Sequence, residues 1–236
     1  MKPFRRLGEA TAPDGTVLSL FAHDGAYVMR VNGVELMSTR RHQSEDALAE
    51  LACTPLRELP DVQVLIGGLG LGFTLKAALA LLAPDARVMV AEIVGAVIDW
   101  NRNPEYPALA GAALRDPRVE MRHADVAKVL AEHPATFDAI MLDVDNGAAA
   151  LTNAGNAKLY RAAGIQTAIA ALRPGGRLAY WSADADHAFA TLLRQAGLAV
   201  KMTEVPVYGT SRSMHTLLVC TVKPPPRRRA EPHAGH

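Results

Sequence analysis

The chain has 236 residues, and 50% of them are hydrophobic. A chain of this size is expected to bury about 70% of the surface that it exposes when unfolded, which suits one α/β domain with a small extension and requires no structural metal. Its formal net charge is only +1. This excludes the strong basic field that is typical of proteins that bind nucleic acid or an acidic membrane surface. We therefore expect neither kind of partner.

No segment of the sequence has the features of a targeting signal or a membrane span. The first residues include Lys2, Arg5 and Arg6, with no apolar segment behind them. The two cysteines, Cys53 and Cys220, form no C-x-x-C pair and lie among apolar residues. They are expected to be buried thiols that neither form a disulfide nor bind zinc. Together these features favour a cytoplasmic protein.

Residues 1–45 are predicted to form a small antiparallel β-meander. Strand-like runs cover 17–21, 27–31 and 34–37, and the dipeptides Asp24-Gly25 and Asn32-Gly33 separate them. Such dipeptides are typical of two-residue hairpin turns. A helix is expected to begin near Ser44, interpreted as its N-cap, because Glu45 and Asp46 would then lie in the positive first turn.

Residues 46–223 repeat a pattern of strand, loop and helix. Strands are predicted over 62–66, 87–91, 118–121, 137–142 and 177–181, and helices over 73–82, 93–101, 156–172 and 185–195. Two final strands, 198–204 and 214–222, have no room for a helix between them and should pair antiparallel. Alternating strands and helices indicate a parallel sheet with helices on both faces. The prediction is an α/β, class I methyltransferase-like (Rossmann-like) domain with a seven-stranded, mostly parallel sheet, followed by a disordered tail over 224–236.

A glycine-rich loop directly follows the first strand of this domain. Its glycines are Gly67, Gly68, Gly70 and Gly72. Glycines at such a turn let a ligand approach the backbone closely, and the next helix offers unpaired N–H groups. The dinucleotide fingerprint G-x-G-x-x-G would need a third glycine at Phe73 or Leu75, so it does not fit. The spacing is instead the G-x-G-x-G form of methyltransferases, and all four glycines are predicted to contact the cofactor.

Two acidic residues follow the next two strands. Glu92 ends the second strand, roughly 20 positions beyond the glycines, where a carboxylate accepts hydrogen bonds from ribose hydroxyls. Asp125 follows the third strand and could accept a hydrogen bond from an adenine amino group, or could simply begin a helix. Together with the glycine loop, these residues predict a site for an adenosine-containing ligand.

These segments resemble the spermidine synthase family over most of the chain, roughly residues 17–222. The resemblance rests on the leading meander, Gln43-Ser44-Glu45, the glycine loop, Val90-Ala91-Glu92-Ile93, Asp116-Pro117-Arg118-Val119, Ala124-Asp125 and Phe137-Asp138-Ala139-Ile140-Met141-Leu142-Asp143. It implies aminopropyl transfer from decarboxylated S-adenosylmethionine to an amine in polyamine biosynthesis, and a homodimer formed through the N-terminal β region. It also implies that Glu92 holds ribose, Asp125 adenine and Asp143 the acceptor amine.

The sequence departs from that family on the acceptor side of the site. Gly70 stands where the family has an acidic residue that binds the aminopropyl ammonium, and His42-Gln43 lacks the family's tyrosine. Asp143-Val144-Asp145-Asn146 replaces the paired acids D-x-x-D. The donor half of the site is therefore expected to be kept and the acceptor half rebuilt.

The leading hypothesis is a spermidine-synthase-like transferase that uses S-adenosylmethionine or its decarboxylated form. Asp143 is the candidate base for an amine acceptor, with Asp145 or Asn146 orienting that acceptor. Two alternatives stay open: a methyltransferase that uses ordinary S-adenosylmethionine, and a non-catalytic adenosyl-ligand-binding or assembly module. No metal site is predicted. Trp181 and His215 are candidates for contacts near the acceptor at the same edge of the sheet, or could be ordinary members of the core.

Overall fold

The N-terminal region forms a four-stranded antiparallel sheet. The computed structural model describes residues 3–143, 156–207, 209 and 211–222. The strands of this first sheet are β1 (Arg5–Thr11), β2 (Val17–His23), β3 (Ala26–Val31) and β4 (Val34–Ser38), paired in that order. The predicted turns at Asp24-Gly25 and Asn32-Gly33 have positive φ at both residues, as tight hairpin turns require. The predicted meander is confirmed, and β1 is an additional strand.

A seven-stranded sheet follows. Its strands are β5 (Gln63–Gly67), β6 (Arg87–Glu92), β7 (Val119–His123), β8 (Phe137–Leu142), β9 (Leu172–Ser182), β10 (Leu198–Pro206) and β11 (Met214–Val222). Their order is β10-β11-β9-β8-β5-β6-β7. Strands β5 to β9 run parallel, and β11 is antiparallel to both of its neighbours. The predicted fold class is therefore confirmed, including the closing antiparallel pair.

Helices cover both faces of the large sheet. They are α1 (Gln43–Cys53), α2 (Phe73–Leu81), α3 (Gly95–Arg102), α4 (Val126–Glu132), α5 (Ala162–Ala171) and α6 (His187–Gln195). Side chains alternate along β8: Ala139 and Met141 pack towards α1 to α3 and the first sheet, whereas Ile140 and Leu142 pack towards α4 to α6. This alternation is what a central strand buried on both faces requires.

The start of α1 differs from its prediction. The helix begins at Gln43 with His42 at the N-cap position, so Ser44 lies in the first turn. The Ser44 hydroxyl donates to the Glu45 carboxylate instead of capping the helix. Ser44 is therefore available for a tertiary contact, described below.

Two other predicted elements also need correction. The helix expected over 156–172 is interrupted, because Arg161 is extended (φ −94°, ψ 161°) between a 3-10 turn at Asn156–Tyr160 and α5. Strand β9 begins at Leu172, so Pro174-Gly175-Gly176 lies within an irregular part of the strand rather than before it. Helix α4 was not predicted from the sequence.

Both cysteines are fully buried, as predicted. In the part of the chain that the structure describes, no helix is both long and apolar enough to cross a membrane. The predicted tail at 224–236 lies outside the described residues.

Candidate active site

A cleft of about 680 Å³ of empty space, partly open to solvent, lies beyond the carboxyl ends of β5, β6 and β8. This is where parallel α/β sheets bind ligands, because the strand order reverses between β5 and β8. One wall belongs to the N-terminal region and is apolar, formed by Ala12, Leu18, Met29, Leu36 and Met37.

The four predicted glycines fall into two groups. Gly68 and Gly70 line the cleft, whereas Gly67 and Gly72 are buried and do not line it. A Cβ on Gly72 would lie 2.2 Å from the Ala110 Cβ, and one on Gly67 would lie 2.8 Å from a methyl of Val126. Gly67 and Gly72 therefore allow the loop to pack closely, and Gly68 and Gly70 leave backbone exposed to a ligand.

Gly70 also contacts the first sheet. Its φ is +51°, and a Cβ at this position would lie 2.9 Å from both Cε and Sδ of Met37. The methionine thus fills the space in which any side chain at position 70 would begin. The acidic group that the family resemblance places here is replaced by a thioether.

Glu92 lies at the end of β6 and is almost fully buried. Its two carboxylate oxygens accept hydrogen bonds from the backbone N–H of Leu69 at 2.9 Å and of Val94 at 2.8 Å. Burial raises the pKa of Glu92, and these hydrogen bonds oppose the shift because they favour the ionised form. These bonds fix the carboxylate in place, and the lone pairs that they leave can accept from a ligand hydroxyl.

Asp125 lines the cleft and caps α4. Its carboxylate accepts from the Ala127 N–H at 2.9 Å and pairs with the Lys158 ammonium at 2.6 Å. The helix-starting role considered from the sequence is therefore present. An adenine contact would use the lone pairs that remain.

Asp143 directly follows β8 and lines the cleft. Its Oδ2 accepts from the Thr74 hydroxyl at 2.8 Å, and its N–H donates to the Gly67 carbonyl at 2.9 Å. Loss of solvent raises the pKa of Asp143 to about 6, with the Thr74 bond acting in the opposite direction. Asp145 and Asn146, predicted to orient the acceptor, lie outside the described residues.

Glu45 was not predicted as a site residue. It is buried, and its pKa is raised to about 7, first by burial and then by the charge of Asp143. Ser44 donates to it at 2.6 Å, and the Nδ1 of His215 lies 2.9 Å from the Ser44 hydroxyl. The Trp181 ring packs edge-on against His215 with 4.6 Å between ring centroids. The sequence offered only the family's helix-start motif as a signal for this cluster.

Asn101 is a second residue that sequence reasoning missed. It is fully buried, and its amide donates to the Gly70 and Val97 carbonyls, both at 2.8 Å. Its carbonyl oxygen accepts from the Ala110 N–H at 2.9 Å. One side chain thus joins the middle of the glycine loop to α3 and to the segment that packs under Gly72.

The site is acidic, and most of its described carboxylates have no basic partner. Among the described residues, neither Glu45, Glu92 nor Asp143 has a basic side chain within 4.0 Å, whereas Asp125 pairs with Lys158. Buried carboxylates without partners favour a cationic ligand or a bound proton. Within the same residues, no cluster of metal-ligating side chains comes together.

No protein-family model and no curated protein sequence matches the chain. Solved structures do match. The spermidine synthase of Thermotoga maritima superposes with a TM-score of 0.74 at 20% identity, covering 92% of this chain and 72% of that one. A spermidine synthase in complex with the transition-state analogue AdoDATO gives 0.72 at 19% identity, with the same coverage of 92% and 72%.

A probable spermidine synthase from Corynebacterium glutamicum also matches, with a TM-score of 0.64 at 18% identity over 91% of this chain and 79% of that one. At identities this low, the similarity establishes the fold and leaves the activity to be argued from the site. The protein therefore has a class I methyltransferase-like fold. More particularly, its fold is spermidine synthase-like, as the sequence resemblance implied.

Proposed function

We propose that this protein is a spermidine-synthase-like transferase. It binds S-adenosylmethionine or decarboxylated S-adenosylmethionine and transfers an aminopropyl or related alkyl group to an amine. The observation that carries the proposal is that Glu92, the exposed backbone of Gly68 and Gly70, and Asp143 all line one cleft. A fixed carboxylate for the donor and a second one for the acceptor are what this reaction needs.

The donor is proposed to bind through its adenosine half. Glu92 accepts hydrogen bonds from the ribose hydroxyls, and its two backbone bonds hold it ready for them. Val94, Val97 and Val126 offer apolar contacts to adenine, and Asp125 offers an acceptor for its amino group. The positively charged sulfonium then lies towards Asp143, where a negative charge stabilises it.

Transfer requires the acceptor amine to lose a proton. The amine arrives as an ammonium ion, and Asp143 accepts one of its protons. The nitrogen lone pair then attacks the carbon beside the sulfonium, and the carbon–sulfur bond breaks with its electron pair going to sulfur. The products are an alkylated ammonium and a neutral thioether. The enzyme contributes mainly by positioning the two reactants.

A specific observation favours methyl transfer as the second candidate function. Met37 occupies the space beside Gly70, so position 70 offers no carboxylate to the ammonium of the decarboxylated donor. Ordinary S-adenosylmethionine carries a carboxylate beside its ammonium, so its binding depends less on such a contact. A transfer assay with a panel of amines separates the two reactions. It uses S-adenosylmethionine labelled in its methyl group and decarboxylated S-adenosylmethionine labelled in its aminopropyl group. Transfer of neither label, with donor still bound, would favour the non-catalytic module instead.

Donor binding is tested first by calorimetry with 5′-methylthioadenosine and S-adenosylhomocysteine, thioethers that share the adenosine half. We expect both to bind the wild type and to bind Glu92→Gln at least about tenfold more weakly, since a charged acceptor is lost. Glu132→Gln on the exposed side of α4 is the matched control and should bind as the wild type does. Equal affinities for all three proteins would refute the proposed donor site.

A further inference from the structure

The carboxylate of Asp143 is bound by a buried threonine from the helix that follows the glycine loop. Thr74 is the second residue of α2 and is 3% exposed. Its hydroxyl donates to Oδ2 of Asp143 at 2.8 Å, although the two residues are 69 positions apart in sequence. The backbone N–H of Asp143 donates to the Gly67 carbonyl at 2.9 Å. Both the main chain and the side chain of Asp143 are therefore attached to neighbouring elements.

Thr74 is the one polar residue on the buried face of its helix. The other residues of that face are Leu75, Ala78 and Leu79. A hydroxyl on an apolar, buried face costs free energy unless it has a hydrogen-bond partner. Here the partner is a carboxylate, so the bond is charge-assisted and stronger than one between neutral groups. Valine has nearly the shape of threonine without the hydroxyl, so packing alone does not require threonine at this position.

The two carboxylate oxygens of Asp143 have different surroundings. Oδ2 receives the Thr74 hydrogen, whereas none of the residues that the structure describes donates to Oδ1. Asp143 lines the cleft and Thr74 does not. A ligand ammonium in the cleft would therefore meet Asp143 itself, and Oδ1 is the oxygen with its lone pairs available.

We propose that Thr74 is a positioning residue that acts through Asp143: it holds Oδ2 and leaves Oδ1 to take a proton from the acceptor ammonium. The role rests on the proposed transferase function, whereas the hydrogen bond does not. An N–H bond of the ammonium breaks, an O–H bond forms at Oδ1, and the electron pair stays on nitrogen for attack on the carbon beside the sulfonium. The Thr74 hydroxyl keeps donating to Oδ2, so the carboxyl group stays oriented during the transfer. The proton leaves to solvent after the products depart.

The same bond opposes the effect of burial on Asp143. Burial raises the pKa of Asp143 to about 6, and the Thr74 hydrogen bond favours the ionised form. Other titratable groups lie on the surrounding elements. Glu45 on α1 feels the charge of Asp143. Glu92 at the end of β6 and Lys76 on α2 are each bound to backbone groups. Substitution of Thr74 leaves all three groups in the chain, so a change in the titration of Asp143 reports on the lost hydroxyl.

The test is a carboxyl-detected NMR titration of the full chain without ligand. In Thr74→Val the midpoint of Asp143 should rise by about one pH unit or more, because a charge-assisted bond to the ionised form is lost. Thr74→Ala also lacks the hydroxyl and should give the same rise, whereas Thr74→Ser keeps it and should titrate as the wild type does. Thr191→Val on α6 is the matched control, since its exposed hydroxyl donates to the His187 carbonyl at 2.9 Å, and it should change nothing. An unchanged Asp143 midpoint in the valine and alanine variants would overturn the proposal.

A second measurement connects the hydrogen bond to transfer. Single-turnover transfer from a labelled donor to an accepted amine is followed against pH. In Thr74→Val the acid limb of the rate profile should move to higher pH with the Asp143 midpoint, and the maximal rate should fall about tenfold or more. Thr74→Ser should restore both.

A double variant shows whether Thr74 acts through Asp143. In a chain that already carries Asp143→Asn, Thr74→Val should cause little further loss of rate, because both substitutions disable one carboxylate. Equal losses in the two backgrounds would refute the positioning role. Absence of any donor binding would refute the proposed function and the role of Thr74 with it, and would leave the titrated hydrogen bond standing.

Discussion

Replacing Asn101 by alanine tests whether the glycine loop depends on one buried amide. The substitution removes hydrogen bonds to the Gly70 and Val97 carbonyls and to the Ala110 N–H. Ala110 is fully buried, so its N–H is left without an obvious substitute, and the Gly70 carbonyl at the cleft becomes free to move. Each buried polar group that loses its partner costs about 1–3 kcal/mol, and water can reach the Gly70 carbonyl but not Ala110.

The expected loss of stability for Asn101→Ala is therefore about 2–4 kcal/mol, or about 5–15 °C in melting temperature for a domain of this size. Affinity for 5′-methylthioadenosine should fall about fivefold or more, since the loop backbone that lines the cleft is no longer held. Calorimetric unfolding and binding titrations measure the two effects. Asn103→Ala is the control, because Asn103 makes one exposed bond to the Glu105 N–H. The reasoning fails if Asn101→Ala melts with the control.

Four further outcomes follow from the site. Glu92→Ala should weaken binding of the thioether ligands by about 1.5–3 kcal/mol in calorimetry, and unchanged affinity would place the ligand elsewhere. Gly72→Ala should lower the free energy of unfolding, measured in urea, by more than about 2 kcal/mol. The new Cβ would lie 2.2 Å from the Cβ of Ala110, and the φ of residue 72 is +79°. Wild-type stability of this variant would contradict the geometry. Asp143→Asn should reduce transfer by about 10²–10⁴ with little change in affinity for the neutral thioether ligands, and wild-type turnover would make Asp143 structural. Burial raises the pKa of Glu45 from 4.5 to about 7, so the native state binds a proton that the unfolded state has lost. The free energy of unfolding should therefore fall as the pH rises through this range. Glu45→Gln should flatten this pH dependence, and an equal slope in both proteins would exclude Glu45 as its source.

The large sheet was predictable because its signal is local. A central parallel strand is a short apolar run, and the predicted strand 137–142 coincides with β8. The sequence could also bring together the residues that we propose to bind the donor, for a related reason. Gly70 lies in the loop that follows β5, and Glu92 ends the adjacent strand β6, so the topology alone brings them to one edge of the sheet. The observed cleft contains both of them, together with Asp125 and Asp143.

The parts that were missed depend on contacts between distant residues or on very short elements. Helix α4 has only 7 residues, too few to show two turns of helical periodicity. Nothing local to Ser44 indicates that its hydroxyl contacts His215, since the partner is 171 positions away. Asn101 had no distinguishing pattern, because a polar residue near a helix end is usually exposed and this one is fully buried.

The first sheet is part of the site and not only an attachment to the larger domain. The predicted division at residue 45 remains a prediction, yet five residues before it form the apolar wall of the cleft. Met37 fills the space beside Gly70, and Glu45, whose pKa is raised by burial and by the charge of Asp143, lies on the same side of that division. A side chain introduced at position 70 without a smaller residue at position 37 would clash with Met37. The chemistry of the cleft is therefore set jointly by the two regions, and the departures at Gly70 are understood only together with Met37.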